Sequence, residues 1–423
     1  MNRAVLIALA AATLAAPGLR AQGCPDAAAL ARGFRPPLAH VRYLADDALQ
    51  GRMAGTAGER CAGEYVAAHF RRLRLRPAGD SGTYFQSLPL ASAIDPHAPG
   101  GTGRNVVAVL PGTELAGEAV VIGAHYDHLG HGGAFSMAPG DTSVHNGADD
   151  NASGVAALID LAGRLSAGPR PRRSIVFVAF TGEEEGLLGS AFYTAHPAVP
   201  LGRTRAMLNL DMVGRLGAGP LIVYGVDTAE EWKAIVDGAA AAEGVAVRGG
   251  GDGFGASDQT SFYARDLPVL HFFTNVHADY HRPSDDWAAI DSAGLRRVEQ
   301  VVERVARAVA NRPAPLTFRR AAPRPQAAAA ATPGYGAYLG TIPDFTPVPD
   351  GVKLSGVRAG SPAEQAGIRA GDVLVKLGGM DVHDLQGMTD ALRAHKPGDV
   401  VQVDVLRDGR RITLTATLGT RGG

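Results

Sequence analysis

Histidine and carboxylate side chains recur in five short clusters along this chain of 423 residues. The first cluster places a histidine at the end of an apolar run, with an aspartate two residues later. Imidazole and carboxylate groups are common ligands of divalent metal ions in hydrolytic enzymes. The set therefore predicts a centre that binds two metal ions and uses them in hydrolysis. In chain order the clusters are Gly123–Gly130, Gly147–Gly154, Thr181–Gly186, Asn209–Met212 and Asp279–Asp285.

The elements that must position these clusters are predicted from hydrophobic periodicity. Short continuous apolar runs indicate strands buried on both faces of a sheet, and apolar residues at helical spacing indicate amphipathic helices. Strands and helices alternate up to about residue 310, which predicts an α/β sandwich. Strands are predicted over Asn105–Leu110, Ala119–Ala124, Ser174–Phe180, Met207–Leu210, Leu221–Tyr224 and Val269–Phe273, and helices over Gly58–Leu73, Ser153–Leu165, Ala229–Ala242 and Ser292–Val309.

Two adjacent carboxylates, Glu183 and Glu184, follow the predicted strand Ser174–Phe180. Adjacent carboxylates repel each other unless one meets a cation, so one can be a metal ligand and its neighbour a base. The alternative is a solvated acidic loop. His125 ends another strand, where open α/β sheets place their sites, and Asp127 can orient its imidazole.

With all five clusters in order, the chain resembles the M28 family of zinc aminopeptidases from about Arg42 to Val309. The resemblance implies a three-layer sandwich of the zinc exopeptidase type, with a mixed, mostly parallel central sheet, and two zinc ions per chain. Asp150 is preferred to Asp149 by alignment with the family pattern alone. The implied ligands are His125 and Asp211 for one zinc, Glu184 and His281 for the other, and Asp150 as the bridge between them.

Three further roles follow from the resemblance. Glu183 would be the general base, which takes a proton from the activated water and passes it to the leaving amine. Asp127 would hold the imidazole of His125. Tyr280 would stabilise the tetrahedral oxyanion, with a merely packed tyrosine as the alternative. Gln259 stands where the family commonly has histidine near the active cleft, so we expect it to affect substrate preference.

These roles imply an exported aminopeptidase that removes N-terminal residues from peptide or protein substrates. One alternative is a glutaminyl-cyclase-like transferase, which shares the fold but works with one zinc and lacks the full ligand set. A second is a catalytically inactive, peptide-binding protein. A site rich in carboxylates also accepts cobalt or manganese. The formal net charge of −1 argues against nucleic acid as a partner.

A second unit is predicted over residues 335–420, after an Ala/Pro-rich linker at 312–334. The run Val357–Asp372 resembles a PDZ domain of the bacterial protease-associated type. The resemblance implies that the backbone amides of one loop receive a peptide C-terminus, although such a domain can also be degenerate and only pack on the peptidase. That loop contains Tyr338, Leu339, Gly340 and Thr341.

The N-terminal residues 1–21 indicate a cleaved export signal, because a basic residue precedes an apolar run that is too short to span a bilayer. The metallopeptidase domain is then predicted over 24–311, and the mature protein is expected to be periplasmic or secreted. Anchoring as a lipoprotein at Cys24 is disfavoured by the residues before it. Cys24 and Cys61 are the two cysteines of the chain, and such a pair in an exported protein most often forms one disulfide.

Overall fold

The computed structural model describes residues 23–90, 101–133, 135–138, 140–320, 337–343, 348, 350–357, 360–383, 387–388, 391–392 and 394–420. The predicted export signal lies outside the described residues, as does the linker from residue 321 onward. The run Leu385–Ala394, which the sequence also predicts to be helical, is described only in part.

The elements agree with the predicted α/β organisation. Capping explains where the longer helices begin: Thr56 accepts from the Glu59 amide before α3, and Asp291 accepts from the Gly294 amide before α8. The helices are α1 (Ala27–Leu30), α2 (Leu38–Leu44), α3 (Ala57–Arg72), α4 (Gly154–Ala167), α5 (Leu188–Ala195), α6 (Trp232–Ala242), α7 (Gln259–Tyr263), α8 (Ser292–Asn311) and α9 (Pro362–Gln365).

The strands of the large sheet follow the order β1-β3-β5-β4-β6-β9-β7-β8, with β2 also paired to β3. The sheet is mixed, as predicted. Parallel pairs join β4 to β5 and β6, β6 to β9, and β7 to β8, whereas the remaining pairs are antiparallel. These strands are β1 (Arg76–Pro77), β2 (Phe85–Leu90), β3 (Gly101–Leu110), β4 (Leu115–His125), β5 (Arg173–Phe180), β6 (Thr204–Leu210), β7 (Leu221–Tyr224), β8 (Val247–Gly250) and β9 (Val269–Phe273).

Helices cover both faces of this sheet, because alternate residues of each strand point to opposite sides. On one face, Ile122 and Phe177 belong to a core shared with α3, α4, α6 and α8. On the other face, Val121 and Val178 pack in a core with residues of α5 and α7. This is the three-layer sandwich that the resemblance implies.

The C-terminal unit is an antiparallel sheet with its own core. Its strands follow the order β11-β12-β13-β15-β16, with β14 beside β13, while β10 pairs with β17. Asp408 and Gly409, a residue pair typical of hairpin turns, join β15 to β16, with both residues at positive φ. The strands are β10 (Ala337–Tyr338), β11 (Thr341–Pro343), β12 (Val352–Val357), β13 (Val373–Leu377), β14 (Met380–Asp381), β15 (Val400–Arg407), β16 (Arg410–Thr417) and β17 (Gly419–Thr420).

The expected disulfide between Cys24 and Cys61 is present, and it ties the start of the described chain to α3. A structural disulfide is typical of proteins in oxidising compartments. Over the described residues, none of the helices combines the length and the apolar character needed to cross a membrane.

Candidate metal centre

Neighbouring strands β5, β4, β6 and β9 bring the predicted ligands together. They run parallel, so their carboxyl ends share one edge of the sheet. His125 is the last residue of β4, and Asp211 follows β6 directly. Glu184 lies in the loop after β5, and His281 in the loop after β9. Asp150 reaches the same edge from the segment that precedes α4.

The side chain of Asp150 lies between two sets of donor atoms. Its Oδ1 atom is 3.3 Å from Nε2 of His125, and that nitrogen is 3.4 Å from Oδ1 of Asp211. Its Oδ2 atom is 3.0 Å from Nε2 of His281, and that nitrogen is 3.3 Å from Oε2 of Glu184. Each carboxylate oxygen of Asp150 therefore faces a different histidine and a different second carboxylate.

These separations match those of ligands around a common ion. Tetrahedral ligands at the usual zinc distances lie about 3.3 Å from one another. Moreover, Nε2 of His125 and Oδ1 of Asp211 are buried and have no hydrogen-bond partner among the described residues. Such buried, unsatisfied polar atoms are costly unless another group binds them. The residues present thus fit two divalent metal ions with Asp150 between them.

The second ring nitrogen of each histidine is occupied elsewhere. Nδ1 of His281 contacts the carbonyl oxygen of Phe135 at 2.9 Å, and Nδ1 of His125 contacts that of Asp127 at 3.3 Å. If each Nδ1 carries the proton and donates it there, Nε2 is left with a free lone pair. Both imidazoles then present a metal-binding nitrogen to the carboxylates.

The centre carries an excess of negative charge. Burial disfavours the charged form of His125, but Glu183 and Asp211 outweigh it and raise the pKa of His125 well above its usual value. The pKa of His281 is raised in the same way, against burial, by Glu184 and Asp150. Carboxylates that keep imidazoles protonated favour positive charge in the site. Divalent metal ions can supply that positive charge in place of the protons.

Glu183 lies beside the first donor set. Atoms of Glu183, His125 and Asp211 all lie within 4.8 Å of one another. Burial, together with the nearby carboxylates of Glu184 and Asp211, raises the pKa of Glu183 well above its usual value. Raised pKa values are characteristic of carboxylates that exchange protons during catalysis.

Asp127 acts mainly on the loop that carries Glu183 and Glu184. Its two carboxylate oxygens accept hydrogen bonds from the backbone amides of Glu183 and Glu184, at 3.2 and 3.3 Å. Its carboxylate lies 3.8 Å from Nδ1 of His125, farther than the carbonyl oxygen of the same residue. The sequence predicted only the contact with His125.

Asp285 holds the backbone at Asp150, and Asn151 holds the backbone around Asp211. Oδ2 of Asp285 accepts from the amides of Asp149 and Asp150, at 2.9 and 3.1 Å. Asn151 donates to the carbonyl of Leu210 and accepts from the amide of Met212, so its side chain spans both sides of Asp211. The carboxylate of Asp149 is engaged elsewhere, with the amide of Gly214 and with His277.

Two of the predicted residues, Tyr280 and Gln259, contact other side chains of the protein. The ring of Tyr280 stacks on the imidazole of His281, with centroids 3.8 Å apart, and its role towards an oxyanion stays a prediction. Gln259 is 1% exposed, and its Oε1 atom accepts from Nδ2 of Asn209 at 3.0 Å. An effect of Gln259 on substrate preference would therefore be indirect.

His128 belongs to the centre, although the sequence did not assign it a role. Its Nδ1 atom is 2.7 Å from Oε1 of Glu184, and its ring meets the ring of His281 edge to face. Atoms of His128, Asp150 and Glu184 lie within 4.8 Å of one another. The spacing of His128 three residues after His125 was the available signal, but only the fold reveals its partner.

The predicted PDZ loop lies between β10 and β11. Leu339 is buried, and its carbonyl oxygen accepts from the amide of Ala363 at 2.8 Å. Gly340 has a φ of 85°, and a Cβ atom there would lie 2.3 Å from Cβ of Ser361, so the turn requires glycine. Thr341 begins β11, which lies at the edge of the described sheet, and its hydroxyl contacts Sδ of Met388.

Comparison with known families assigns both units. Residues 105–306 match the model of peptidase family M28, and residues 338–418 match that of the PDZ domain. The chain carries an M28 peptidase domain. Leupeptin-inactivating enzyme 1 of Streptomyces exfoliatus is 29% identical over 298 residues, which cover 66% of this chain and 60% of that enzyme. A probable zinc metalloprotease of Leptosphaeria maculans is 33% identical over 38% of this chain and 36% of its own length.

Solved structures agree with the fold of the M28 domain. A zinc aminopeptidase from Bacillus subtilis superposes with a TM-score of 0.52 at 20% identity, covering 69% of this chain and 97% of that one. A glutaminyl cyclase from Porphyromonas gingivalis gives 0.53 at 21% identity, covering 64% and 96%. Both similarities concern the fold. This chain spans less than two thirds of the curated relatives named above.

Proposed function

We propose that this protein is an exported di-zinc aminopeptidase that hydrolyses N-terminal residues from peptides. The observation that carries the proposal is the position of Asp150 between two sets of donors at 3.0 to 3.4 Å, with Glu183 beside one of them. Two zinc ions would be held by His125 and Asp211 on one side and by Glu184 and His281 on the other, with Asp150 shared. The ions would supply a polarised substrate carbonyl and a water of lowered pKa.

Glu183 is the general base in this proposal. Its carboxylate removes a proton from the attacking water and then delivers it to the nitrogen of the leaving amine. The raised pKa of Glu183 suits the first step, because a carboxylate whose conjugate acid has a higher pKa is a stronger base towards water. Asp127 keeps the base in place through the amides of Glu183 and Glu184.

Tyr280 is proposed to contact the tetrahedral oxyanion, as the family resemblance implies. Its ring lies on that of His281, which puts the tyrosine at the rim of the second donor set. The substrate's free α-amine would be held among the carboxylates of the centre, which favour a cation. This requirement for a free amine distinguishes an aminopeptidase from an endopeptidase.

A glutaminyl-cyclase-like transferase is the second candidate, and the fold similarity to a glutaminyl cyclase favours it. That reaction needs one zinc ion, so some of the proposed ligands would have no role in it. Here a histidine faces each carboxylate oxygen of Asp150, so a two-ion centre accounts for more of the residues present than a one-ion centre does.

The PDZ domain is proposed to bind peptide C-termini. Strand β11 lies at the edge of the described sheet and beside Met388, so an extended peptide can add to it as a further strand. Leu339, Gly340 and Thr341 would place their backbone amides around the terminal carboxylate. A pulldown with peptides that end in a free or an amidated C-terminus tests this role, because only the free carboxylate should bind.

The experiment for the main proposal is hydrolysis of a panel of aminoacyl-p-nitroanilides by the mature protein. We expect turnover that is lost on chelation and restored by zinc, and that is absent from Glu183→Ala. N-acetylated substrates serve as the control for the free amine, and a glutaminyl peptide detects cyclisation. Turnover that survives chelation, or cyclisation without hydrolysis, would contradict the proposal.

A further inference from the structure

The segment Gly51–Glu59 contacts several of the loops that carry the proposed ligands and base. It precedes the part of the chain that matches the peptidase family, which begins at residue 105. Its contacts reach residues more than seventy positions later, at the ends of β4 and β5 and before α4. Two buried charged side chains, Arg52 and Glu59, make hydrogen bonds to these later segments.

The guanidinium of Arg52 connects two ligand loops. The side chain is 1% exposed. Its Nε atom donates to the carbonyl of Tyr126 at 2.9 Å, and Tyr126 stands between His125 and Asp127. Its Nη1 and Nη2 atoms donate to the carbonyls of Asn146 and Gly147, at 2.7 and 3.0 Å, just before Asp149 and Asp150. A fourth bond goes to Leu44 in α2.

No carboxylate among the described residues lies within ion-pair distance of Arg52, so its hydrogen bonds go to backbone carbonyls. A planar guanidinium with fixed donors can hold carbonyls from separate segments in one arrangement, which the single ammonium of lysine cannot reproduce. Arg52 therefore joins the segment of Tyr126 to that of Asn146 and Gly147.

The backbone beside Arg52 approaches the same region closely. The carbonyls of Gly51 and Arg52 accept from the amides of Gly130 and His128, at 3.0 and 3.2 Å. Gly51 has a φ of 68°, and a Cβ atom there would lie 2.3 Å from the carbonyl oxygen of Gly130. Any other residue at Gly51 would displace the loop that follows β4.

Glu59 performs a comparable task for the loop after β5. It lies in the first turn of α3, and its Oε2 atom accepts from the amide of Gly55 at 3.1 Å. Its Oε1 atom accepts from the hydroxyl of Thr181, which precedes Glu183 by two residues. Of these two contacts, only the one with the Gly55 amide stabilises the start of α3. The second fixes the loop that carries Glu183 and Glu184.

We propose that Arg52 and Glu59 are positioning residues of the metal centre, which hold the ligand loops at the spacing that two zinc ions require. The inference rests on the proposed metal centre. Arg52 sets the loops of His125 and Asp150 relative to each other. Glu59, through Thr181, sets the loop of Glu184 and of the base.

The test is the zinc affinity of the metal-free, full-length protein, measured by competition with a chromophoric chelator. Arg52→Lys is compared with Arg173→Lys, a matched control. Like Arg52, Arg173 is 1% exposed and donates to a backbone carbonyl, that of Val309, but it also pairs with Glu118 and lies at the opposite end of β5 from the site. Arg52→Lys should weaken zinc binding about 10- to 100-fold, and Arg173→Lys should leave it within about threefold.

The melting temperatures of both variants separate positioning from general stability. If Arg52→Lys binds zinc like the wild type while it melts as early as Arg173→Lys, Arg52 is only structural and the proposal is overturned. Failure of the wild type itself to bind zinc would overturn the metal centre, and with it this inference. The two failures are therefore distinguishable.

Thr181 keeps the proposal testable if Arg52→Lys does not fold. Thr181→Val replaces a hydroxyl with a methyl group of similar size and should weaken zinc binding about tenfold, with a lower kcat and a similar KM. Thr181→Ser retains the hydroxyl and should restore both values. Wild-type zinc affinity and kcat in Thr181→Val would overturn the role of Glu59.

Discussion

Asp150 has the most constrained side chain of the candidate centre, because each of its oxygens faces a different histidine. Burial opposes ionisation of Asp150, but the neighbouring imidazoles of His125 and His281 outweigh burial and hold the pKa of Asp150 well below its usual value. A carboxylate that stays ionised in a buried site needs positive charge near it. Charge as well as distance therefore supports the proposed bridging role of Asp150.

Substitution of the base should separate catalysis from metal binding. Glu183→Gln removes the proton acceptor but keeps the shape and the backbone amide that Asp127 holds. We expect kcat to fall about 100- to 10,000-fold, because that is the usual contribution of a positioned base. Zinc content by elemental analysis should stay at two ions per chain. Loss of the zinc together with the activity would indicate that Glu183 is a ligand instead.

His128 should support the second donor set through Glu184. His128→Ala removes the 2.7 Å contact with Oε1 of Glu184 and should weaken zinc binding about 10- to 100-fold. His196→Ala is the control, because His196 is exposed at the end of α5. Titration of the metal-free variants with zinc measures the effect. Equal affinities of the two variants would contradict a role for His128.

The residues that the sequence identified share one property: they lie in short local patterns. His125 and Asp127, or Glu183 and Glu184, are close in sequence and follow apolar strands. Asp285, His128, Arg52 and Glu59 could not be assigned in this way, because their partners are distant in sequence. Only the folded chain brings the guanidinium of Arg52 to the carbonyl oxygen of Gly147.

Among the secondary-structure elements, the predicted strands are those in the buried centre of the sheet. The strands that were not predicted lie at its margins. Leu221–Tyr224 and Val269–Phe273 were predicted with their observed bounds. By contrast, β1, β2 and β8 were missed, because their residues are partly exposed and carry no continuous apolar run. Burial on both faces produces a strong pattern, and edge positions do not.

Helices α4 and α8 enclose a carboxyl group that should make stability depend on pH. Glu299 of α8 has 0% exposure, and burial beside Asp160 raises its pKa to about 9. Arg164 and Arg296 oppose the shift. Because the folded pKa lies above the unfolded value, the stabilising contribution is complete below about pH 4.5 and is lost as the pH rises towards 9.

Glu299→Gln should therefore melt at a higher temperature than the wild type at pH 8, and at a similar temperature at pH 4.5. For a protein domain of this size each kcal/mol corresponds to about 2–4 °C. Glu303→Gln is the control, because Glu303 is partly exposed and pairs with Arg307. Thermal melts across the pH range measure the difference. A gain for Glu299→Gln that is equal at both pH values would refute the ionisation argument.

At the scale of the whole molecule, metal binding should be coupled to folding. The proposed ligands come from segments between residues 125 and 281, so ions that join them would stabilise the native chain and not the unfolded one. Each zinc ion, at about 1,000 times its dissociation constant, should add about 4 kcal/mol to the free energy of unfolding. Urea denaturation with zinc and with chelator measures this. Asp150→Ala should show little dependence on zinc.

The disulfide should contribute separately from the metal ions. It closes a loop with a sequence separation of 37 residues, and loops of this length gain about 3–4 kcal/mol in the chain-entropy account. The double substitution Cys24→Ser and Cys61→Ser should lower the free energy of unfolding by about that amount. A reducing agent should destabilise the wild type but not the double variant. Insensitivity of the wild type to reduction would contradict this role.

The two-ion centre is tested most directly by an anomalous diffraction map recorded at the zinc absorption edge, on crystals of the protein grown with zinc. We expect two peaks, one on each side of the Asp150 carboxylate, about 3.5–4 Å apart. One peak should contact His125 and Asp211, and the other His281 and Glu184. A single peak, or none near Asp150, would contradict the two-ion centre and the mechanism built on it.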